Sequence, residues 1–457
     1  MAEIVKRNKA LAVSPLKASA TMGAALAFLG IERSIAMLHG AQGCTAFGKI
    51  FLIGHFREPV PMQTTAMDQV STVMGADDNV VEGLATVAAK QKPALIGLPT
   101  TGLAETQGSD LFGALNLFRR KHPEHDGVAV VPVETPDYAG SLESGFAKAV
   151  AAMVDRLVPD VGEKGGDPKS GRVNVLVNAS LSPGDVEELK DLFDFFGLAA
   201  VVLPDLSGSL DGHLADADFS PLTTGGFAIG EFAGMHRARA TFVIGDSLAE
   251  AADLLAARTG VPDHRFDHLM GLEAVDEFVH VVATVAGRPV PEKLRRQRRQ
   301  LQDAMLDAHF FLGMARIALA ADPDLLKAYG DLLAGMGAEM VAAVSPSNAR
   351  VLKTVLAPQV KIGDLEDLEA LAEAGGAELV VGNAHAVATA ERLGLPLLRA
   401  GFPQFDRLGS PAVVSVGYRG SRRVLFDLAN LLLEAEPGRL APYRSVFAQV
   451  ADEEGEA

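Results

Sequence analysis

The residue with the most distinctive chemistry is Cys44, the only cysteine among 457 residues. It lies in the segment 39–49, which reads HGAQGCTAFGK. A cysteine thiolate is the usual protein ligand of iron-sulfur clusters, and backbone amides beside such a ligand tune the bound cluster. Gly40 and Gly43 would let the backbone turn tightly around a bound group. These residues alone leave two interpretations open: a small buried thiol, which is the usual state of a lone cysteine, or a ligand of iron.

Other chemical motifs are weaker. The same segment nearly matches a nucleotide-binding P-loop, because Gly43, Gly48 and Lys49 have its spacing, but the next residue is Ile50. A P-loop needs Ser or Thr there to hold magnesium. No dinucleotide-binding glycine fingerprint follows a predicted strand, and the sequence has no hydrolase nucleophile elbow or zinc-protease histidine pair. These observations disfavour nucleotide-dependent enzymes and hydrolases.

Two histidines, His264 and His268, are four residues apart and could share a helix face as metal ligands. The preceding Pro262 and the polar surroundings indicate a loop instead. We therefore expect both to be ordinary surface histidines.

The elements that must position Cys44 follow a βα rhythm, in which a short β-branched run precedes an amphipathic stretch. Near-continuous apolar runs are typical of parallel strands that are buried on both faces. The predicted strands are 94–98, 128–133, 173–177, 199–203, 241–244, 340–344, 379–381 and 412–416. Open α/β sheets bind their ligands at the carboxyl ends of such strands. The predicted fold class is therefore α/β.

The chain is about three times as long as a typical domain. Its composition changes at two places, residues 162–171 and 287–291. We predict an N-terminal α/β domain at 1–165 that carries the Cys44 segment, and a second domain at 166–290. A third domain at 291–457 would begin with a long basic helix and end in an acidic tail at 452–456.

Composition and charge exclude several classes of partner. Hydrophobic residues make up 48% of the chain and charged residues 22%, which is typical of a soluble globular protein. No apolar run approaches the roughly 20 residues that cross a membrane, and residues 1–9 do not resemble a secretory signal. A net charge of −17 argues against binding to nucleic acid. A single cysteine fits a reducing, cytoplasmic location.

Seven sequence blocks resemble a known family in the same order. They are residues 19–30 (SATMGAALAFLG), 39–47, 55–59 (HFREP), 63–75, 181–185 (LSPGD), 223–226 (TTGG) and 401–407 (GFPQFDR). Over roughly residues 14–433 the chain resembles a family of nitrogenase cofactor-maturation proteins, itself similar to the β subunit of the nitrogenase molybdenum-iron protein.

The resemblance implies three Rossmann-like domains with mainly parallel sheets flanked by helices. It also implies a heterotetramer that contains two copies each of this chain and of a sister subunit, NifE. The catalytic β subunit supplies three cysteine ligands to an eight-iron cluster. Cys44 matches one of them, whereas Ser19 and Gly102 stand at the positions of the others. One thiolate cannot hold such a cluster.

A 4Fe-4S cluster takes about four protein ligands, so roughly three must come from another chain. We therefore predict a 4Fe-4S cluster shared between Cys44 and the partner subunit. The segment around Cys44 is expected to be a loop, which His39, Gly40, Gln42 and Gly43 shape around the cluster. The precursor of the iron-molybdenum cofactor is expected mainly in the partner, because this chain has no second cysteine to anchor it.

By resemblance, the complex is a scaffold on which that precursor matures, without independent turnover. Its further partners would be the ATP-dependent nitrogenase iron protein, as electron source, and a protein that delivers the precursor. One alternative is a subunit of a light-independent protochlorophyllide or chlorophyllide reductase. Another is a periplasmic-type or nucleotide-binding module in which Cys44 is inert.

Overall fold

The computed structural model describes residues 1–7, 12–136, 138–162, 166–167, 169–214 and 220–435 of the chain. Within these ranges the strands form three parallel sheets, and helices flank them. The predicted α/β fold class, with three Rossmann-like units, is confirmed. The predicted acidic tail at 452–456 lies outside the described residues.

The strands are short and mostly buried. In chain order they are β1 (Glu3–Val5), β2 (Ser34–Leu38), β3 (Met62–Thr64), β4 (Leu95–Pro99), β5 (Ala129–Val133), β6 (Arg172–Val177), β7 (Ala199–Leu203), β8 (Thr241–Ile244), β9 (Asp263–Phe266), β10 (Arg316–Ala320), β11 (Glu339–Ser345), β12 (Gln359–Ile362), β13 (Leu379–Gly382) and β14 (Leu397–Arg399). Seven of the eight predicted strands are confirmed within a residue at each end.

The helices connect successive strands. They are α1 (Ala20–Leu29), α2 (Gln42–Phe56), α3 (Gln69–Met74), α4 (Asp77–Gln91), α5 (Gly102–Gln107), α6 (Leu111–Lys121), α7 (Leu142–Leu157), α8 (Pro183–Asp194), α9 (Ala249–Thr259), α10 (Leu272–Ala286), α11 (Glu292–Leu312), α12 (Pro323–Gly335), α13 (Leu365–Gly375), α14 (Val387–Leu393) and α15 (Gly417–Ala435). The predicted long basic helix is α11. In the described ranges, no helix combines the length and apolar character needed to cross a membrane.

The first sheet has the strand order β3-β2-β4-β5, and the second has the order β7-β6-β8-β9. The third sheet has the order β1-β12-β11-β10-β13-β14. Its edge strand β1 comes from the start of the chain, where Glu3 pairs with Gln359. The other strands fall in turn within the three predicted domains, whose boundaries stay predictions.

The predicted strand at 412–416 is wrong. Residues Ser410–Ala412 form a single 3₁₀ turn, and the following residues lead into α15. The amides of Ser415 and Val416 donate to the carboxylate Oδ1 of Asp185, at 2.6 and 3.1 Å. Because a side chain takes these backbone donors, the apolar run pairs with no strand among the described residues.

The hydrophobic core runs between the sheets. Leu38 of the first sheet and Leu176 of the second belong to one buried cluster, and Val175 and Leu319 link the second sheet to the third in another. Successive side chains of β6 therefore pack against opposite neighbours, as the alternation of a strand requires. The shared core fixes the three sheets relative to one another.

Helices α1 and α7 cross at very close range. A Cβ atom at Gly23 would lie 1.8 Å from the carbonyl oxygen of Leu142, and one at Gly145 would lie 1.8 Å from that of Ala20. Only glycine leaves room for backbones this close. The crossing buries nearly all of α1, and this helix ends one residue before Gly30.

Candidate functional site

Cys44 lies in the first turn of α2, directly after the carboxyl end of β2. The loop predicted around Cys44 is therefore wrong from Gln42 onward, where the helix begins. Thr45, Gly48, Leu52 and Phe56 form the buried face of α2. Their spacing of three and four residues is that of one helix face. Cys44 itself is exposed, which contradicts the alternative of a buried thiol.

The two glycines beside Cys44 have different roles, and neither adopts a left-handed conformation. A Cβ atom at Gly40 would lie 2.4 Å from Oγ1 of Thr101, so Gly40 is needed for close packing. A Cβ atom at Gly43 would meet nothing within 4 Å. Gly43 and the neighbouring Gln42 are both exposed. The expected tight turn is thus absent, and the surface beside Cys44 is open.

His39 is buried below the start of α2. Its Nδ1 atom lies 2.9 Å from Oγ1 of Thr65, and its Nε2 atom lies 2.7 Å from Oγ of Ser109. Burial lowers the pKa of His39 to about 4, so the imidazole is neutral at physiological pH. Both ring nitrogens are occupied by hydroxyl groups. His39 therefore braces the end of β2 and is not placed to bind iron.

A cavity of about 490 Å³ lies beside Cys44. Its wall includes Ser19, which caps the N-terminus of α1 by accepting from the amide of Met22 at 3.3 Å. Thr101, the residue before Gly102, also lines the cavity. The cavity thus brings together Cys44 and the surroundings of both positions that the resemblance singled out.

The third sheet also contributes to this cavity, through His385 and Phe402. The His385 ring lies 6.1 Å from that of Phe51 on α2, measured between centroids.

The amide of Gln404 donates to Nδ1 of His55 at 2.9 Å, near the end of α2. Arg57, which caps α2, donates to the carbonyl of Phe405. Loops of the third sheet therefore hold the helix that carries Cys44.

Large apolar side chains are exposed near the start of α2 and on α3. Phe47 of α2 is 67% exposed and Ile50 is 64% exposed. On α3, Val70, Val73 and Met74 are each at least 67% exposed. We call these five residues the apolar face. Exposed apolar groups of this kind mark surfaces that bind another protein. Asp68 and Ser71 form a capping box at the start of α3.

The structure offers a single thiol for iron. Within the described ranges, no group of three or more histidine, cysteine or acidic side chains could hold a metal ion. His264 lies on β9 rather than in the predicted loop. His268 is largely buried, and its Nε2 atom lies 3.0 Å from Oδ2 of Asp331. The predicted surface position of His268 is therefore wrong. Its hydrogen bond to Asp331, 63 residues further along the chain, holds the ring in the interior.

Comparisons with known proteins match this chain along nearly all of its length. The family model "Nitrogenase component 1 type Oxidoreductase" matches residues 19–433. The NifN iron-molybdenum cofactor biosynthesis protein of Klebsiella pneumoniae is 46% identical over 449 residues, which cover 98% of this chain and 97% of that protein. The NifN protein of Bradyrhizobium diazoefficiens is 44% identical, and the match covers 95% of this chain and 92% of that protein.

A solved structure described as nitrogenase Cp1 at pH 6.5 superposes with a TM-score of 0.88 at 27% identity. The match covers 96% of this chain and 98% of that one. Sequence and fold thus agree over nearly the whole chain, and the matched residues 19–433 include Cys44. The chain belongs to the nitrogenase component 1 type oxidoreductase family and, within it, to the NifN group of iron-molybdenum cofactor biosynthesis proteins.

Proposed function

We propose that this chain is one subunit of a scaffold on which an iron-sulfur precursor matures into the iron-molybdenum cofactor of nitrogenase. The names of its relatives support this role. The observation that carries the proposal is the position of Cys44, which is exposed in the first turn of α2 beside a cavity of about 490 Å³. In this role Cys44 supplies one ligand to a 4Fe-4S cluster that bridges two subunits.

The surroundings of Cys44 fit a cluster ligand. The first turn of a helix has backbone amides without intrahelical partners, and these favour a thiolate and its negatively charged cluster. His39 and Gly40 fix where the helix starts, through the hydroxyl contacts of His39 and the close packing of Gly40 on Thr101. Gln42 and Gly43 leave an open surface over which a partner can approach.

The ligand count calls for a second chain. A 4Fe-4S cluster takes about four protein ligands, and this chain contains one cysteine. The apolar face lies partly on α2, the helix that carries Cys44, and its burial in a subunit interface would stabilise the complex. We therefore propose a NifE-type partner, with two copies of each subunit, that supplies the remaining ligands and holds most of the cofactor precursor.

The cluster, when bound, accepts and releases single electrons. In the proposed scaffold the ATP-dependent nitrogenase iron protein delivers these electrons, and a further protein delivers the precursor. The chain itself contributes the ligand and the helix that orients it.

Iron content and electron paramagnetic resonance of the dithionite-reduced complex test this proposal. We expect the wild-type complex to contain a reduced 4Fe-4S cluster and Cys44→Ala to lose its signal while keeping its circular dichroism spectrum. An exposed side chain contributes little packing, so the variant should fold normally. The isolated wild-type chain should bind little iron.

Ala46→Ser is the matched control, because Ala46 is exposed on the same helix turn and has no proposed role. This variant should keep both signal and iron. The proposal is wrong if Cys44→Ala retains the full signal and iron content, or if the purified single chain carries four irons.

A further inference from the structure

Another cavity, of about 80 Å³, lies where parts of all three sheet units meet. Its walls come from the segment after β6, the end of β14 with the residues that follow, the last turn of α2, and α12. Ligands of α/β proteins bind beyond the carboxyl ends of strands. The volume is several times the roughly 10–15 Å³ that one water needs, so a small molecule fits. The cavity shares only Phe402 with the one beside Cys44.

His55 brings an unused hydrogen-bond donor to this cavity. The side chain is buried, and its Nδ1 atom accepts from the amide of Gln404 at 2.9 Å, which leaves the ring proton on Nε2. Burial lowers the pKa of His55 to about 4, so the ring is neutral. Nε2 has no hydrogen-bond partner among the described residues, but it is not shielded from solvent. Because His55 lines the cavity, this N–H group is available to a ligand there.

Two further donors line the same cavity, one on Tyr329 of α12 and one on Arg399 at the end of β14. Tyr329 is only 5% exposed, and no described residue bonds to its hydroxyl, which is not shielded from solvent either. Burial raises the pKa of Tyr329, so the phenol keeps its proton. Arg399 donates through Nε to Asp406 at 2.6 Å, whereas no described residue accepts from its two Nη atoms.

The cavity offers few acceptors in return. Asp185 is the only acidic residue in its lining. The Asp185 carboxylate already accepts from three backbone amides, those of Ser182, Ser415 and Val416, at 3.0, 2.6 and 3.1 Å. It also accepts from the Ser415 hydroxyl. Because these donors occupy the carboxylate and spread its charge, a ligand must itself supply the acceptors that the three unused donors need.

The rest of the lining is largely apolar and includes Leu26, Phe56, Leu206 and Leu325, all of them buried. In such surroundings a donor without an acceptor costs free energy, and a hydrogen bond to a charged acceptor is stronger than in water. A carboxylate offers about four acceptor positions and matches a guanidinium in planar geometry. Arg399 is the only arginine or lysine in the lining, and its partner Asp406 lies outside it.

We propose that this cavity binds a small carboxylate of about the size of acetate. Its oxygens accept hydrogen bonds from Nε2 of His55, the hydroxyl of Tyr329 and the guanidinium of Arg399, while its methyl group packs against the apolar wall. No part of the proposed cluster function depends on this site. The ligand would complete the hydrogen bonding of three donors that the fold leaves unsatisfied.

Isothermal titration calorimetry of the full chain with acetate, at constant chloride concentration, tests the proposal. Acetamide has a similar shape without the charge, and methylammonium carries the opposite charge. We expect saturable binding of acetate, at least about tenfold weaker binding of acetamide, and no binding of methylammonium. Equal affinity for acetamide, or the absence of saturable binding by acetate, would overturn the proposal.

Tyr329→Phe locates the site at α12. The variant removes one hydroxyl and keeps the buried ring, so it should fold normally and bind acetate about fivefold more weakly. Tyr418→Phe is the matched control, because Tyr418 is also buried and donates to Asp276 at 2.7 Å but does not line the cavity. This control should bind acetate as the wild type does.

Arg399→Gln locates the site at β14. It should weaken acetate binding by about tenfold or more, because it removes the positive charge that the carboxylate meets. Arg392→Gln is its control, since Arg392 also pairs with a carboxylate, that of Glu369, and does not line the cavity. If Tyr329→Phe and Arg399→Gln both bind acetate with wild-type affinity, acetate binds elsewhere and the proposal is refuted.

Discussion

Two buried histidines stabilise the helix that carries Cys44, one near each end. His39 lies just before α2 and His55 lies in its last turn. Burial lowers the pKa of each imidazole to about 4, compared with 6.5 in the unfolded chain. The folded protein therefore resists protonation of both rings. This contribution of the two histidines to the unfolding free energy is complete above pH 6.5 and is lost as the pH falls toward 4.

His55→Gln tests this linkage. Between pH 7.5 and pH 5, each histidine with this pKa should cost the wild type about 2 kcal/mol of unfolding free energy. Between pH 7.5 and pH 5 the unfolding free energy of the variant should therefore fall by about 2 kcal/mol less than that of the wild type. Urea denaturation at the two pH values measures the difference.

The matched control is His309→Gln, because His309 is exposed on α11. It should follow the wild-type pH dependence. If His55→Gln behaves like this control, the imidazole of His55 is protonated in the folded protein and does not limit acid stability.

Helices α1 and α7 pack so closely that only glycine fits at their contact points. Gly23→Ala should lower the unfolding free energy by about 1–3 kcal/mol, because its new methyl group would meet a backbone carbonyl. Gly43→Ala is the control, since its surroundings are open and it lies in a helix. This control should be neutral or raise stability by up to about 1 kcal/mol. Urea denaturation of both variants checks this, and equal effects would contradict the packing argument.

Sequence periodicity predicted most strands of the sheets but not helix α2. Gly43, Gly48 and Gly54 lower its intrinsic helix propensity, so its segment looked like a loop. Packing of its buried face overrides that preference. The strand predicted for the apolar run at 412–416 is wrong because Asp185, which is distant in the sequence, accepts hydrogen bonds from two of its amides. Contacts between distant segments are invisible to local patterns.

The candidate site was only partly predictable, because some of its residues come from distant segments of the chain. Cys44 and its neighbours stand out because one segment contains them. The contributions of His385 and Phe402 to the cavity depend on a fold that brings a segment more than 300 residues away against α2. The pairing of His268 with Asp331 likewise had no local signal, since aspartate is common and the spacing is long.

At the scale of the whole molecule, buried carboxylates lie where the three sheets meet. The amide of Asp324 on α12 donates to Oε2 of Glu143 on α7 at 2.8 Å. Nδ2 of Asn178, which follows β6, donates to Oδ2 of Asp324 at 2.8 Å. Burial raises the pKa of Asp324 to about 6, and burial together with the charges of Asp324 and Asp322 raises that of Glu143. The junction therefore binds protons more tightly than the unfolded chain does.

Glu143→Gln should stabilise the protein at high pH. Groups whose folded pKa is raised favour the folded state at low pH, and that contribution is lost as the pH rises through the folded pKa. Removing one negative charge should raise the unfolding free energy by about 1–2 kcal/mol at pH 8, and by less at pH 5. Urea denaturation at both values measures this.

Glu187→Gln is the control for this junction, because Glu187 is exposed on α8. It should change stability by less than about 0.5 kcal/mol at either pH. A Glu143→Gln variant that is less stable than the wild type at pH 8 would show that hydrogen bonding outweighs charge repulsion here.

The edge strand β1 also constrains how the chain is made. Residues 3–5 are synthesised before the other described strands, but their partner β12 follows about 350 residues later. At roughly 5–20 residues per second, the interval is on the order of 20–70 s. During that time β1 has no strand to pair with, while the first and second sheets can already assemble. The third sheet can therefore close only after the strands of the first and second sheets have been synthesised.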